Sequence, residues 1–337
     1  MKTPGRPKRW NYQQILQLAA VVLALLLLLG GLKNFFLKQL LIGLGPKVIG
    51  ARLEVGRISL SLVRQRMAIK GFKLYNPDGF PDEVMLDVPE VSVRLNPWRM
   101  LTGRLAMSAV VINMKELVII KNADKKLNVD ALKIAQSGKD PPAKEDKPVK
   151  KVKKPKFFIQ ELRLNVEQVV VKDFSKGETP VIQVYDIPLK DKVIRDVDSF
   201  EKLMTVLIVH AMGPTAIKSA GIYAAAAVLG VGFLPAGILG IMVADDDSVL
   251  ATRMSRDKAF DFCREFIAER GALKKQHREK GYLAAKIDGH DVRFDITETE
   301  EGETAITVSA RKFMLPKSAF AGGIVYQLRK RMNEDTR

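Results

Sequence analysis

Few residues in this chain have side chains suited to covalent or metal chemistry. The single cysteine, Cys263, excludes an intramolecular disulfide framework and a cysteine-based zinc site. The three histidines, His210, His277 and His290, lie far apart with no carboxylate at helical spacing, which argues against a histidine-based metal enzyme. Gly-x-Ser-x-Gly, P-loop and His-Glu-x-x-His motifs do not occur in the sequence. We therefore expect a protein that is not an enzyme and that uses no cofactor or metal.

The remaining reactive groups have simple structural interpretations. Cys263 lies on the apolar face of a predicted helix, so we expect it to be packed rather than nucleophilic. His210 follows an apolar run and is likewise expected to pack rather than to bind a ligand. Asp245, Asp246 and Asp247 lack the spaced ligands of a calcium-binding loop, and we interpret them as the charged flank of an apolar segment.

The positive charge of the chain, a net +17, is concentrated in two short segments. Four basic residues lie within the first nine positions, and eight lysines lie between Lys139 and Lys156. A nucleic-acid-binding surface needs cations interleaved with aromatic residues on a folded face, so we expect no nucleic acid partner. The Lys/Pro-rich residues 137–156 are predicted to form a disordered insertion. Solvation alone would explain these lysines, as would contact with anionic lipid headgroups, for which the candidates are Lys150, Lys151, Lys153 and Lys154.

A long apolar stretch near the N-terminus predicts a membrane anchor. Residues 15–32 have Gln17 as their one polar side chain and meet the minimum length of a membrane-spanning helix. A signal peptide would have a shorter apolar stretch and a small-x-small cleavage site, whereas here an amphipathic continuation follows. By the positive-inside rule, the basic arm stays cytoplasmic and the rest is exported. The anchor residues that we single out are Ile15, Leu16, Val21, Leu25 and Leu29.

After Pro46 the apolar residues alternate with a period of two, which is typical of strands with one buried face. At Gly56 and at Gly71 the apolar positions change between odd and even numbers, and this slip in parity predicts a bulge or a tight bend at each glycine. About ten short strands with few helices between them indicate a mostly antiparallel arrangement. The strands could form a sandwich, or one curled sheet with an apolar trough filled by another element or a ligand. The candidate residues of a lipid groove are Leu53, Val55, Ile58, Leu60, Leu86, Val91, Val93, Leu105, Met107, Val110, Ile112, Leu162 and Leu164.

Several stretches in this part of the chain share apolar alternation punctuated by glycine or asparagine. They are residues 50–62 (GARLEVGRISLSL), 69–80 (IKGFKLYNPDGF), 127–132 (LNVDAL) and 157–164 (FFIQELRL). Together with the anchor they resemble the AsmA-like family of bacterial envelope proteins, over about residues 10–230. The resemblance implies inner-membrane anchoring and a periplasmic β-groove, linked in larger relatives to phospholipid movement and outer-membrane integrity. This chain departs from the family by being short and by ending in a different domain.

A second apolar segment follows the predicted strands. Residues 219–244 carry no charge and are divided by a Gly/Pro-rich stretch, residues 230–237. The segment could be a hairpin or amphipathic element against the membrane or the groove, a second membrane span, or a pair of ordinary buried helices. The choice decides the side of the membrane on which the C-terminus lies.

The last part of the chain predicts a small α+β unit. Residues 255–270 form a helix that stops at Gly271, strands follow with a hairpin turn at Asp288-Gly289, and residues 318–332 form a basic helix. The unit resembles an uncharacterised α+β domain family of bacterial envelope lipoproteins, which implies no active site.

These patterns predict a membrane-anchored α+β protein with a transmembrane helix, a curled antiparallel sheet, an apolar helical segment and a small C-terminal domain. The expected division is residues 1–12, 13–45, 46–200, 201–247 and 248–337. We expect an inner-membrane protein, single-pass or two-pass, with its bulk in the periplasm and membrane phospholipid as its partner. Its expected role is lipid transport or outer-membrane biogenesis. The alternative is a membrane-tethered scaffold that assembles envelope proteins and binds no lipid.

Overall fold

The computed structural model describes residues 34–96, 105–136, 157–231 and 247–335, apart from residues 36, 40, 44, 48, 62, 82, 214, 216, 218, 300 and 301. Within these ranges the protein is α+β and contains two sheets whose strands are mostly antiparallel, as the alternating pattern predicts.

The first sheet has six strands arranged in chain order. All neighbours are antiparallel except β4 and β5, which run parallel and are joined by the long crossover that such a pair requires. The strands are β1 (Leu53–Ser61), β2 (Arg66–Tyr75), β3 (Val84–Leu95), β4 (Leu105–Lys121), β5 (Phe157–Asp173) and β6 (Val181–Val197).

The prediction of about ten short strands in this region is wrong, because several predicted pairs of strands are single long ones. The apolar runs at Val110–Met114 and Leu117–Ile119 both belong to β4, and those at 162–166 and 169–171 both belong to β5. What separates the runs is a change in the parity of the buried residues and not a turn.

This change in parity falls at the same level on five neighbouring strands. The registers align Gly56, Gly71, Pro89, Met114 and Val166 across the sheet. The predicted changes in parity at both glycines are therefore confirmed, but the predicted bulge is wrong, because the register between β1 and β2 continues unbroken past Gly56 and Gly71. Gly71 has a positive φ of 64°, and a Cβ atom on Gly56 would lie 2.9 Å from the carbonyl oxygen of Lys70. Glycine is the residue that tolerates the positive φ at Gly71 and the close backbone approach at Gly56 without strain. Because the parity changes on all five strands at this level, the buried residues before and after it belong to one apolar core.

A layer of short helices covers this apolar face. It consists of a 3-10 helix (Asn128–Ala131), α1 (Lys133–Gln136), α2 (Phe200–Met212) and α3 (Ala220–Val228). Residues 34–49, helical where they are described, pack against the same core and run along β1. Lys38 Nζ donates to the Gly56 carbonyl oxygen at 2.8 Å, and Asn34 Oδ1 accepts from the Leu60 N–H at 3.0 Å. These contacts satisfy backbone groups at the outer edge of the sheet.

Two polar side chains of the 3-10 helix connect it to the first sheet and to α3. Asn128 is fully buried; its Nδ2 donates to Asn76 Oδ1 (2.7 Å) and to the Val118 carbonyl oxygen (2.9 Å), and its Oδ1 accepts from the Ile120 N–H (3.0 Å). Asp130 Oδ1 accepts from Ser219 Oγ and from the Gly221 N–H, at the N-terminus of α3. The polar residues of the LNVDAL stretch therefore have structural roles.

The second sheet belongs to the C-terminal unit, in the order β12-β11-β10-β9-β8, with β7 also paired to β11. Two helices pack on its apolar face, and both occur where the sequence predicts helices. The elements are β7 (Asp247–Thr252), α4 (Arg256–Arg270), β8 (Gly271–His277), β9 (Tyr282–Ile287), β10 (His290–Glu298), β11 (Thr304–Lys312), β12 (Leu315–Pro316) and α5 (Ser318–Asp335).

Helix α5 joins the two units by packing directly on β6 of the first sheet. Gly323 faces the backbone of Ile182 so closely that a Cβ atom there would lie 2.0 Å from the carbonyl oxygen of that residue. Tyr326 packs in a cluster with apolar residues of β4, β5 and β6. Arg270 Nη2 adds a hydrogen bond of 3.2 Å to the Pro180 carbonyl oxygen. The two units are therefore in direct contact, chiefly through α5.

Among the described residues, no helix is long and apolar enough to cross a membrane. The predicted anchor with Ile15, Leu16, Val21, Leu25 and Leu29 lies outside the described residues. So do the insertion with Lys150, Lys151, Lys153 and Lys154, and residues 232–244 of the second apolar segment.

Candidate functional site

A basic pocket lies where the end of β6 meets the helical layer. The cavity has a volume of about 280 Å³ and opens beside the residues that follow α3. Its lining combines three cations and a histidine with apolar side chains and one glycine: Lys192, Val193, Ile194, Arg195, Lys202, Val206, His210, Gly230 and Val231.

Helix α2 forms one wall of this pocket with a single stripe of side chains. Lys202, Val206 and His210 follow one another at intervals of four residues, which places them on one face of the helix. Ser199 fixes the start of the helix, because its Oγ accepts a hydrogen bond of 3.1 Å from the Lys202 N–H. The stripe is therefore set by a capped helix whose other residues are mostly buried in the core.

The end of β6 forms the opposite wall. Its backbone is irregular here, since Asp191 and Asp196 both have positive φ values, 52° and 59°. The Asp191 N–H donates to Asn165 Oδ1 at 2.6 Å, which anchors one of the two irregular positions to β5. Between them Lys192 and Arg195 are exposed, and Ile194 packs against the core. The pocket thus has a cationic rim and an apolar floor.

The cations of the pocket are only partly neutralised by the described residues around them. Lys202 is mostly buried; its Nζ donates to the Asp196 carbonyl oxygen at 2.9 Å and lies 3.9 Å from the Asp198 carboxylate. Burial lowers the pKa of His210, and the charge of Lys192 lowers it further, against the opposing effect of the hydrogen bond to the Val206 carbonyl oxygen. That contact, 2.9 Å from Nδ1, assigns the proton of the neutral ring to Nδ1 and leaves Nε2 as an acceptor.

This arrangement suits binding of an anion and not covalent chemistry. Lysine and arginine side chains recognise phosphate and carboxylate groups, and the apolar floor formed by Ile194 and Val206 suits a ligand that also has a hydrophobic part. The pocket lining contains no hydroxyl or thiol nucleophile. The described part of the chain also contains no cluster of side chains that could hold a metal ion.

The predicted groove residues are together, but they form a covered core. Leu53, Val55, Ile58, Leu86, Val93, Met107, Val110, Ile112, Leu162 and Leu164 are buried in one cluster, with Leu60 and Val91 packed against it. The side chain of Leu105 lies outside the described part of the chain. The helical layer packs against this same cluster, so the protein's own residues cover most of the apolar face in the described part of the chain. The residues Leu60, Met67, Ile69, Phe72 and Val91 on β1, β2 and β3 are only half-buried. The basic pocket lies at the edge of that face.

The other residues considered from the sequence have structural positions. Cys263 is buried in the core of the C-terminal unit as predicted, and burial raises the pKa of its thiol to about 12. His290 stacks on Phe320 with ring centroids 4.0 Å apart, and His277 lies beside Tyr282. Asp247 begins β7, whereas Asp245 and Asp246 are outside the described residues.

The sequence analysis did not single out the cations of the pocket. Lys192 and Arg195 are surface residues on a strand, and nothing local distinguishes them from ordinary solvated charges. A usable signal was the stripe Lys202, Val206 and His210 after a serine N-cap, which places a cation and a titratable group on one helix face.

Comparison of the chain with protein-family models, with curated proteins and with solved structures gives no match. The assignment of a role therefore depends on the residues themselves.

Proposed function

We propose that the chain is a bacterial inner-membrane protein with its body in the periplasm, where it handles phospholipid in the biogenesis and maintenance of the outer membrane. The observation that carries the proposal is the basic pocket, whose cationic rim adjoins the apolar core of the first sheet. The predicted anchor at residues 15–32, the basic arm before it and the resemblance to the AsmA-like family support the location.

The pocket matches the headgroup end of an anionic phospholipid. Its volume of about 280 Å³ is just below the range of ordinary ligand sites, roughly 300–1,000 Å³, and suits a headgroup better than a whole lipid. Lys192 and Arg195 lie at the exposed rim where a phosphate can reach them from solvent. The start of the acyl chains would contact Ile194, which is half-buried at the pocket floor, and the rest of the chains would remain outside the covered core.

The covered state of the sheet favours a second function, a membrane-tethered scaffold for envelope protein assembly. Ten of the thirteen groove candidates are buried, and two more pack against the same core under the helical layer. A closed core of this kind needs no lipid to shield it. In that case the partner would be another envelope protein.

Lipid analysis of the purified full chain separates the two functions. We expect native mass spectrometry of the detergent-purified protein to show bound anionic phospholipid. The double variant Lys192→Gln/Arg195→Gln should lose most of that lipid, because it removes both exposed cations of the rim.

The matched control is Arg57→Gln/Lys70→Gln, which removes the same charge from exposed positions of β1 and β2. This control leaves the pocket intact and should therefore retain the lipid. Lipid bound only to the anchor would be affected by neither pair of substitutions. Lipid-free protein, or equal lipid in both double variants, would reject the pocket as a headgroup site and favour the scaffold.

A further inference from the structure

The hairpin between β11 and β12 presents three consecutive apolar side chains to solvent. Phe313 is 87% exposed, Met314 is 90% exposed and Leu315 is 63% exposed. Solvent-exposed apolar residues are ordinary when scattered singly, but a contiguous protruding group of this size marks a surface that contacts something apolar. We call residues 313–315 the apolar tip.

The backbone of the apolar tip is one that its residues disfavour. Lys312 pairs with Leu315, so Phe313 and Met314 form a two-residue turn, and their φ values are +50° and +64°. Two-residue turns with both φ values positive favour Asn-Gly or Asp-Gly, because bulky side chains clash with the backbone in this conformation. The tip therefore combines backbone strain with exposure of apolar surface, and neither stabilises the fold.

A second hairpin in the same sheet shows what an ordinary turn looks like here. Ile287 pairs with His290, and the turn between them is Asp288-Gly289, with φ values of +48° and +77°. Both turns lie at the same end of the sheet, since β9 and β11 run in the same direction, each antiparallel to β10. The chain thus uses the favoured residues at one turn and Phe-Met at its neighbour.

The charges that flank the apolar tip along the chain are all positive, while the nearest acidic residues lie on neighbouring elements: Asp291 faces Arg311 across β10 and β11, and Asp288 lies in the adjacent turn. Residues 311–317 read RKFMLPK and contain three cations and no acidic residue. Arg311 and Lys317 are exposed and Lys312 is partly exposed. Apolar side chains flanked in their own hairpin by cations complement a surface that is anionic outside and apolar beneath, which is the interface of an anionic bilayer.

We propose that the apolar tip inserts into the headgroup region of an anionic phospholipid bilayer, with Lys312 and Lys317 on the phosphates around it. In this contact the apolar side chains leave water for the boundary between headgroups and acyl chains. The strained turn has a use there, because it holds the side chains of Phe313 and Met314 outward, towards the bilayer. This contact is separate from the predicted anchor and does not depend on the lipid-handling role.

A fluorescent probe on the tip of the full chain tests this contact. Leu315→Cys is labelled with the polarity-sensitive dye NBD, which reacts there alone because Cys263 is buried. The protein is reconstituted into vesicles of phosphatidylcholine with or without phosphatidylglycerol. We expect a shift of the emission to shorter wavelengths and protection from iodide quenching in the vesicles that contain phosphatidylglycerol. Lys280→Cys, at the opposite end of the sheet in an exposed turn, should stay water-exposed in both.

The substitution Phe313→Asn/Met314→Gly removes the apolar side chains and relieves the strain together. We expect this variant to melt at a higher temperature than the parent and to abolish the emission shift of the probe at residue 315. This combination separates loss of membrane contact from misfolding. The pocket variant Lys192→Gln/Arg195→Gln should leave the shift unchanged, which separates the tip from the proposed headgroup site.

Three outcomes would overturn the proposal. One is a probe that stays water-exposed on vesicles containing phosphatidylglycerol, and another is an unchanged shift in the Phe313→Asn/Met314→Gly variant. The third is a probe exposed on lipid vesicles but protected in native membranes, which would assign the tip to a protein partner.

Discussion

At the scale of single residues, Asn128 shows how one buried amide can organise a fold. Its side chain bonds Asn76, the Val118 carbonyl and the Ile120 N–H, so it links the turn after β2, strand β4 and the helical layer. Replacement by alanine would leave buried polar groups without partners. We expect Asn128→Ala to lower the free energy of unfolding by about 3 kcal/mol, measured by chemical denaturation of the full chain in detergent.

A matched control for Asn128 lies six residues earlier in the chain. Asn122 Oδ1 also accepts a backbone hydrogen bond, from the Lys126 N–H at 2.9 Å, but the contact is exposed. Water can replace an exposed partner, so Asn122→Ala should cost about 1 kcal/mol or less. Equal losses in the two variants would show that burial of the Asn128 network is not what stabilises the fold.

Glu116 gives the protein a defined pH dependence at the contact between its two units. Burial raises the pKa of this carboxyl group, and the hydrogen bond from Gln168 only partly opposes the effect. A raised pKa means that the folded state binds the proton more tightly than the unfolded state. The stability from protonated Glu116 is present in acid and is lost as the pH rises through the raised pKa.

Glu116→Gln should therefore melt at a higher temperature than the parent at about pH 8, because it removes a buried charge at the site. The gain should shrink towards about pH 4, where Glu116 is protonated in both states. Glu167→Gln, at an exposed position on the neighbouring strand, should show no such pH-dependent gain. A gain for Glu116→Gln that does not vary with pH would exclude the ionisation as its cause.

At the scale of elements, a pair of neighbouring glycines in α5 decides how closely this helix approaches β6. A Cβ atom on Gly323 would meet the Ile182 carbonyl oxygen at 2.0 Å, whereas one on Gly322 would make an ordinary contact of 3.4 Å with Val184. We expect Gly323→Ala to destabilise the protein by about 1–3 kcal/mol by overpacking. Gly322→Ala should be neutral or stabilising by up to about 1 kcal/mol, because alanine is the better helix former.

Thermal unfolding of the full chain by circular dichroism compares the two alanine variants under identical conditions. Both substitutions add one methyl group to the same helix, so the difference between them isolates the contact with β6. Similar melting temperatures for the two variants would mean that α5 does not pack on β6 at this distance.

Local sequence patterns predicted the helices and strands better than they predicted which of these elements pair or pack with one another. The alternation in residues 53–62 and the two parity slips are properties of single strands, and so they could be predicted. The sequence could not predict that one strand contains both Val110–Met114 and Leu117–Ile119, because a change in parity within a strand looks the same in the sequence as a boundary between two strands. The parallel pairing of β4 and β5 depends on a crossover through the helical layer, which no local pattern encodes. The basic pocket depends on both, since its walls are a strand end and a distant helix.

At the scale of the whole molecule, the contact between the two units constrains how the chain can meet a membrane. Helix α5 packs on β6, and Arg270 bonds the Pro180 carbonyl oxygen, although the second apolar segment separates these elements in the chain. A single crossing of the bilayer between the two sheets would place them on opposite sides and would break this packing. Of the interpretations open for residues 219–244, the hairpin and the buried helices fit the contact, and a single second span does not.

Labelling of single cysteines in intact and permeabilised cells tests this arrangement in the full chain. Lys176→Cys lies in an exposed turn of the first sheet, Lys280→Cys lies in one of the second, and Asn11→Cys is in the basic arm. The buried thiol of Cys263, with its raised pKa, adds no background. With the outer membrane opened, we expect an impermeant maleimide to label residues 176 and 280 to the same extent. Residue 11 should react only after the inner membrane is permeabilised. Labelling of residues 176 and 280 from opposite sides would contradict the packing of α5 on β6, whereas labelling of all three residues together would contradict the predicted anchor alone.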